Sequence, residues 1–277
     1  MPPTPSYGIP DTVEYPAIAI CAALALASLI FCVVLARRRR SMLPLYLFAA
    51  GALTVFFEPY PDVLGLAVFP QEGQVHWISG LGRDIPMYIG FIYLFYWAPA
   101  WLTMVDLLQR GITPRRYWAL CGIMVVATCA IELIPLHFRM WQYYGSQPLR
   151  LGGFPLWWGF INGHSFIASS VVLVLLLRVL PANRRFLLVV LMPAVVLAVH
   201  TGGAMPGYST VATTSNPTVT WLGTLGAMAF CTLLCWVYSL VVCRPGTASW
   251  VTPWREPEAK APHRPFPHHT DGARSVL

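Results

Sequence analysis

The chain has 277 residues, of which 57% are hydrophobic and only 10% are charged, and its mean hydropathy is +0.61. Charged residues make up about a quarter of an ordinary soluble domain, so this composition excludes such a domain and predicts a protein that crosses a membrane several times. The net charge of +7 does not indicate nucleic-acid binding, because the basic residues lie between apolar runs and in the C-terminal tail.

Seven apolar runs approach the length of about 20 residues that a helix needs to cross a bilayer. In chain order the predicted spans are Pro16–Ala36, Leu43–Phe57, Ile85–Leu108, Tyr117–Leu136, Pro155–Leu180, Phe186–Ala204 and Val219–Cys243. The second is short if it ends at Phe57, which places Glu58 in its last turn. We therefore predict an all-α, polytopic membrane helix bundle of about seven transmembrane helices, forming one domain over residues 1–245.

The basic residues divide unevenly between the connections, and this asymmetry predicts the orientation of the bundle. With the N-terminus outside, 15 of the 18 Lys and Arg residues fall on the inside. Only Arg83, Arg139 and Arg150 then fall outside. We predict an integral, multi-pass protein of the cell (plasma) membrane with its N-terminus outside and its C-terminus inside. The proline-rich tail 246–277 is expected to be cytoplasmic and disordered.

Ionisable side chains inside a membrane are costly, so each of them suggests a site. The candidates gather near the predicted outer ends of the spans: Glu58, Asp62, Arg83, Asp84, Glu132, Asn162, His164 and His200. Glu132 is the strongest of them, because the surrounding "CAIELIPL" is apolar. A carboxyl in that position needs a partner or a proton.

Each candidate also has an ordinary structural interpretation. Glu58 and Asp62 suit interfacial or solvated carboxylates, and Arg83-Asp84 suits a helix start with a local ion pair. Glu132 could form a structural pair with Arg83 or Arg139, and His200 could be a satisfied core histidine. These alternatives remain open at the level of sequence.

A dense aromatic motif, "WQYYGSQPLRLGGFPLWWGFINGHSF", leads into the fifth predicted span. Asn162, Ser165 and Ser169 recur on one helical face, which we expect to point into the bundle. Trp157 and Trp158 suit either an interfacial aromatic belt or a binding wall. The candidate substrate-binding residues are Asn162, Trp157, Trp158, Tyr144, Tyr88 and His200.

Several chemistries find no support in the sequence. The only lysine, Lys260, lies in the tail, so no span carries a lysine for a retinal Schiff base. The seven cysteines lie in or beside apolar runs without metal-binding spacing, and we interpret them as packing residues. We predict no metal and no cofactor. The remaining set suits acid–base catalysis on an apolar small molecule, with these catalytic candidates: Glu58, Asp62, Glu132, His164, Arg83 and Asp84.

The segments "FFEPYPDVLG", "GRDIPMYIGF" and "IELIPLHFRMWQYYGSQPLRLGGFPLWWGFING" together resemble the AveC-like spirocyclase family of actinobacterial membrane proteins. The resemblance covers about Leu43–Val174, and the later spans match only as apolar helices. It implies a cofactor-independent cyclase or dehydratase that forms a spiroketal on a polyketide.

In the mechanism that we expect for such a reaction, Glu132 protonates the departing hydroxyl of a hemiketal. Glu58 or Asp62 then takes the proton of the second hydroxyl as it attacks the oxocarbenium ion. Arg83, His164 and Asn162 would tune or position these groups. Dehydration alone needs the same acid and base.

Three other classes of protein fit parts of the pattern. A membrane terpenoid or carotenoid cyclase or hydratase would use the same acid chemistry on a hydrocarbon. A small-molecule transporter or receptor would also bury Glu132, although the sequence shows no inverted repeat. In a scaffold protein the polar groups would hold helices together. The expected partners are therefore the lipid bilayer and an apolar small molecule, with no nucleic acid and no indicated oligomeric state.

Overall fold

The computed structural model describes residues 3–109 and 111–243. Its helices are α1 (Asp11–Arg39), α2 (Leu43–Thr54), α3 (Pro59–Gly65), α4 (Met87–Gln109), α5 (Pro114–His137), α6 (Leu156–Val179), α7 (Leu188–Val211) and α8 (Pro217–Val242). Single 3₁₀ segments, Val55–Phe57 and Ala182–Leu187, precede α3 and α7. The short strands are β1 (Ala67–Val68), β2 (His76–Gly80), β3 (Arg83–Pro86), β4 (Gln142–Tyr143), β5 (Arg150–Leu151) and β6 (Phe154–Pro155). The predicted tail 246–277, with Lys260, lies outside the described residues.

The prediction of a bundle of long apolar helices is confirmed, and these helices are consistent with a protein that crosses a membrane several times. Within the described residues, six helical stretches are long and apolar enough to cross a membrane: Asp11–Arg39, Met87–Leu108, Pro114–His137, Leu156–Val179, Ala182–Val211 and Pro217–Val242. The bent pair Leu43–Phe57 and Pro59–Gly65 would make a seventh span. The last turns of α7 were missed, because this helix continues beyond Ala204 to Val211 through what we expected to be a connection.

The second predicted span is broken where it meets Glu58. Its two helical parts are bent by 42° at this point. Pro59 has no backbone N–H and so cannot continue the hydrogen-bonding pattern of α2, but it suits the first turn of the new helix α3. The bend places Glu58 at the break and Asp62 one turn later.

The helices pack in an uneven arrangement that leaves α5 at one side. Helix α6 is the most buried of the spans, and it packs against α4, α5, α7 and α8. Helix α2 packs against α1, α4 and α7. Helix α5 packs mainly on α6 and makes few contacts with α4. The predicted polar face of α6 does point inward, because Ser165 and Ser169 are buried and Ser169 accepts a hydrogen bond from Trp101 at 3.0 Å.

An ordered cap closes one end of the bundle, at residues 3–10, 57–86 and 138–155, where the sequence alone predicts only connections. Its strands pair antiparallel as β1 with β4, β2 with β3 and β5 with β6, so the fold is not purely helical. Tyr7 ties the N-terminal segment down by donating to the Val68 carbonyl at 3.2 Å. Gln147 donates to the Gly65 carbonyl at 2.9 Å and so joins the cap segment 138–155 to α3 in the segment 57–86.

Candidate active site

A cavity of about 300 Å³ lies beneath the cap, inside the bundle. Side chains of the bend after α2, of α3, α4, α5, α6 and α7, and of the cap line it. Nine of its 24 described lining residues are aromatic: Phe57, Phe69, Tyr93, Phe95, Tyr96, Trp97, Trp141, Tyr143 and Trp158. Such a wall gives a weakly polar interior that presents the faces of several π-systems.

Three carboxyl groups border this one cavity. Glu58 comes from the bend, Asp62 from α3 and Glu132 from α5. No lysine or arginine is among the described lining residues. Glu58 is therefore not an isolated marker of the membrane boundary, and Glu58 and Glu132 lie on the same pocket rather than on opposite faces.

Glu132 is held by two donors from the cap. Trp141 Nε1 and the Tyr143 hydroxyl donate to its Oε2 at 2.8 and 3.2 Å. Burial, and then the charge of Glu132, raise the pKa of Tyr143, so this phenol keeps its hydrogen and remains a donor. Both bonds end on Oε2, which leaves Oε1 available to carry a proton.

The pairing of Glu132 with Arg83 or Arg139 is wrong. The Arg83 guanidinium donates instead to Thr4 Oγ1 at 2.9 Å and to the Tyr144 hydroxyl at 2.6 Å. The Arg139 guanidinium carbon lies 5.5 Å from the centre of the Tyr7 ring. Both arginines are used to hold the cap.

The other two carboxyls differ in their hydrogen bonding. Glu58 accepts a hydrogen bond from the Tyr93 hydroxyl of α4. Asp62 is buried, and its Oδ2 has no hydrogen-bond partner among the described residues. Asp62 also lies within electrostatic range of Glu58, Glu132 and Arg83. A buried polar atom without a partner requires a specific explanation, and a reacting carboxyl is one.

His200 and Asn162 form a hydrogen-bonded pair at the cavity wall. His200 Nε2 lies 3.2 Å from Asn162 Oδ1, and its Nδ1 lies 3.2 Å from the Tyr208 hydroxyl. Because Asn162 Oδ1 can only accept, Nε2 carries a hydrogen. The two contacts together fix the orientation of the imidazole at the cavity wall.

The remaining predicted residues lie outside the lining, which corrects their assignment to direct substrate contact. Besides the Arg83–Tyr144 contact, Asp84 accepts from Ser79 at 2.5 Å within the β2–β3 hairpin. Tyr88 donates to the Met140 carbonyl at 2.6 Å, and Trp157 donates to Gln147 Oε1 at 3.2 Å. These five side chains build the cap and fasten it to the helices, because their polar groups are used in those contacts.

His164 also lies away from the cavity, on the opposite side of α6 from Asn162. Its ring stacks on Tyr238 of α8 with 5.9 Å between ring centres. Its imidazole is packed against the backbone of α7 at Gly203, where an added Cβ would lie 2.6 Å from Nδ1. We interpret His164 as a packing residue between α6, α7 and α8 rather than a catalytic one.

The close approach of His164 to α7 gives a direct test of this packing. We expect Gly203→Ala to lower the free energy of unfolding by about 1–3 kcal/mol, because the new methyl group overpacks the contact. Gly202→Ala is the matched control, since no atom lies within 4 Å of its added Cβ. Thermal unfolding in lipid nanodiscs measures both variants. Equal stability of the two would contradict the packing described.

The sequence analysis missed several aromatic residues that line the cavity, among them those that donate to its carboxyls. Tyr93, Tyr96 and Trp97 lie within the third predicted span, in "YLFYWAPAW", and not at its edge. The available signal was the presence of Tyr and Trp in the middle of a predicted span, because these residues otherwise concentrate at membrane interfaces. Trp141 and Tyr143 come from a connection, and no spacing rule relates them to Glu132.

The cavity offers proton donors and acceptors and π-faces, and its described lining contains no lysine or arginine. Among the described residues no group of three or more His, Cys, Asp or Glu side chains is placed to hold a metal ion. The chemistry of the cavity follows from its carboxyl groups and its aromatic side chains. No family model, no curated protein and no solved structure matches this chain.

Proposed function

We propose that this chain is a membrane enzyme that cyclises or dehydrates an apolar, polyketide- or lipid-like molecule by cofactor-independent acid–base catalysis. The observation that supports this proposal best is the convergence of Glu58, Asp62 and Glu132 on one cavity with a partly aromatic lining, in which no lysine or arginine is among the described residues. The resemblance of three sequence segments to the AveC-like spirocyclase family favours a spiroketal-type cyclisation.

The electrostatics of the cavity favour a positively charged transition state. Three carboxyl groups in one apolar space cannot all be ionised at low cost, because like charges repel and water is largely excluded. At least one of them therefore carries a proton. The ionised ones, together with the aromatic faces, stabilise positive charge that develops nearby.

The proposed reaction assigns different roles to the carboxyls. Glu132 is the acid, because Trp141 and Tyr143 fix its Oε2 and leave Oε1 to deliver the proton. Glu132 transfers its proton to the hydroxyl group of a hemiketal. The bond between the hemiketal carbon and this oxygen then breaks, water departs, and an oxocarbenium ion remains. Asp62 is the base that takes the proton of the attacking hydroxyl, which closes the second ring. Glu58, held by Tyr93, adds negative charge.

A second enzyme class, a terpenoid or carotenoid cyclase or hydratase, would use the same acid on an alkene and pass through a carbocation. The chemical identity of the product distinguishes it. A carrier would need a path to both faces of the membrane. Beneath the cavity, however, Trp97, Phe166 and Val196 belong to a continuous packed core, which favours an enzyme over a carrier.

The orientation of the enzyme is part of the same proposal. The excess of Arg and Lys in the segments that we assign to the inside favours an N-terminus outside the cell and a plasma-membrane location. In this orientation the cap and the carboxyls lie in the outer half of the membrane.

Deletion of the gene, followed by untargeted profiling of lipids and polyketides, tests the proposed activity. We expect one product to be lost and its hydrated or open-chain precursor to accumulate, and the wild-type gene to restore the product. The gene that carries both Glu132→Gln and Asp62→Asn should not restore it. An unchanged profile after deletion, or full restoration by the double variant, would contradict the proposal.

A further inference from the structure

The wall of the cavity is incomplete on one side. Ile92 and Phe95 of α4 and Ile131 of α5 all line the cavity, yet these two helices make few contacts with each other. Ile131 is 62% exposed on the outer surface of the bundle. One side chain thus borders both the cavity and the surface that faces the lipid, so the gap between α4 and α5 connects the two.

The cap closes the cavity toward the nearer membrane surface. Strand β1 pairs with β4 directly above the site, in the register Ala67 with Tyr143. The Tyr144 amide donates to the Leu66 carbonyl at 2.9 Å, and Gln147 holds the Gly65 carbonyl at 2.9 Å. These contacts join α3 to the connection that follows α5 and so close this end of the cavity.

The opposite end is closed by packed aromatic side chains. Trp97 stacks on Trp101 with 5.1 Å between ring centres, and on Phe166 with 6.5 Å. All three residues are buried. A substrate cannot pass through this layer without disrupting the core.

From these three observations we infer that the substrate is a membrane-dissolved amphiphile that reaches the cavity sideways, through the gap between α4 and α5. This inference rests on the proposed function of the cavity. A space of 300 Å³ holds about ten water volumes, enough for a reacting head group with hydroxyl or ketone oxygens. The apolar remainder of a larger molecule stays in the gap and in the bilayer.

Carbodiimide labelling of Glu132 in reconstituted vesicles tests the path without knowledge of the substrate. Dicyclohexylcarbodiimide partitions into the bilayer and adds to protonated carboxyl groups, and mass spectrometry of the Glu132 peptide gives the labelling rate. We expect Ile131→Trp to slow this labelling by about tenfold, the effect of a barrier higher by 1.4 kcal/mol. Ile131→Ala widens the gap and is expected to speed it up.

The matched control is Ile123→Trp, which introduces the same residue on the same helix. Ile123 is 60% exposed and is not among the cavity residues, so this variant should label at the wild-type rate. A water-soluble carbodiimide should label Glu132 more slowly than the lipid-soluble one. If it labels faster, or if I131W and I123W label equally, the sideways path is wrong.

The labelling result and the enzyme assay can fail separately. Labelling reports access to Glu132 whether or not this residue is catalytic. Unaltered labelling of I131W together with an inactive E132Q would overturn the path and leave the proposed chemistry standing. Slowed labelling of I131W together with a fully active E132Q would support the path and overturn the proposed chemistry.

Discussion

Glu132→Gln is expected to reduce product formation about 10²–10⁴-fold, the contribution of a positioned general acid, without unfolding the protein. The glutamine amide keeps the size of the carboxyl and can still accept from Trp141 and Tyr143 through its oxygen. It cannot deliver a proton to the departing hydroxyl. The rate is measured as product formed per mole of protein, either in nanodiscs or in the complemented deletion strain.

Glu14→Gln is the control for this experiment. Glu14 is also a buried carboxyl, but it lies on α1 outside the cavity lining and accepts from the Val75 amide at 2.7 Å. The glutamine oxygen can accept the same bond, so we expect activity close to that of the wild type. Comparable losses in E14Q and E132Q would show a general effect of replacing a buried carboxyl, and full activity of E132Q would exclude Glu132 as the acid.

The existence of a carboxyl site could be predicted because burying charge in a membrane is expensive. Glu58, Asp62 and Glu132 were found from apolar surroundings and topology alone, and all three line one cavity. Asn162 and His200 were found in the same way. The cost of a polar group in an apolar span is a local property, and a single sequence displays it.

The partners of those carboxyls could not be predicted, because they depend on packing between distant segments. Tyr93 meets Glu58 only through the bend at Pro59, and Trp141 meets Glu132 only because the cap folds back over α5. His164 was assigned to the site although it does not belong there. Its side chain packs against α7 and α8 and does not line the cavity. The helical face shared by Asn162, Ser165 and Ser169 does not include His164, so helical periodicity is the better guide to its orientation.

A long-chain dimethylalkylamine, protonated at its nitrogen, is expected to bind the cavity about tenfold tighter than the alcohol of the same chain length. Its ammonium group mimics the positive charge of the proposed intermediate. Charge-assisted hydrogen bonds contribute about 1.5–3 kcal/mol, and a cation over an aromatic face adds about 0.5–2 kcal/mol. Removing the ammonium group from water offsets part of this gain, so we expect a net difference of about 1.4 kcal/mol. Calorimetric titration in nanodiscs measures both affinities.

Asp62→Asn provides the sharper comparison with this pair of ligands. Removing one of the three carboxyls should weaken amine binding by about tenfold, or 1.4 kcal/mol, and leave alcohol binding nearly unchanged. Glu14→Gln should alter neither affinity, because Glu14 lies outside the cavity lining. A general loosening of the site would weaken the binding of both ligands equally, since both carry the same apolar chain. The difference between their affinities therefore reports only the effect of the charge.

This experiment separates a site that stabilises positive charge from one that holds helices together. In a scaffold protein the three carboxyls would be satisfied internally, and the charge of a ligand would not change its affinity. Equal binding of the amine and the alcohol, or an amine affinity that Asp62→Asn leaves intact, would contradict a cation-stabilising cavity. A selective loss of amine binding would assign Asp62 the electrostatic role that a cationic intermediate requires, because only the charged ligand senses the missing carboxylate.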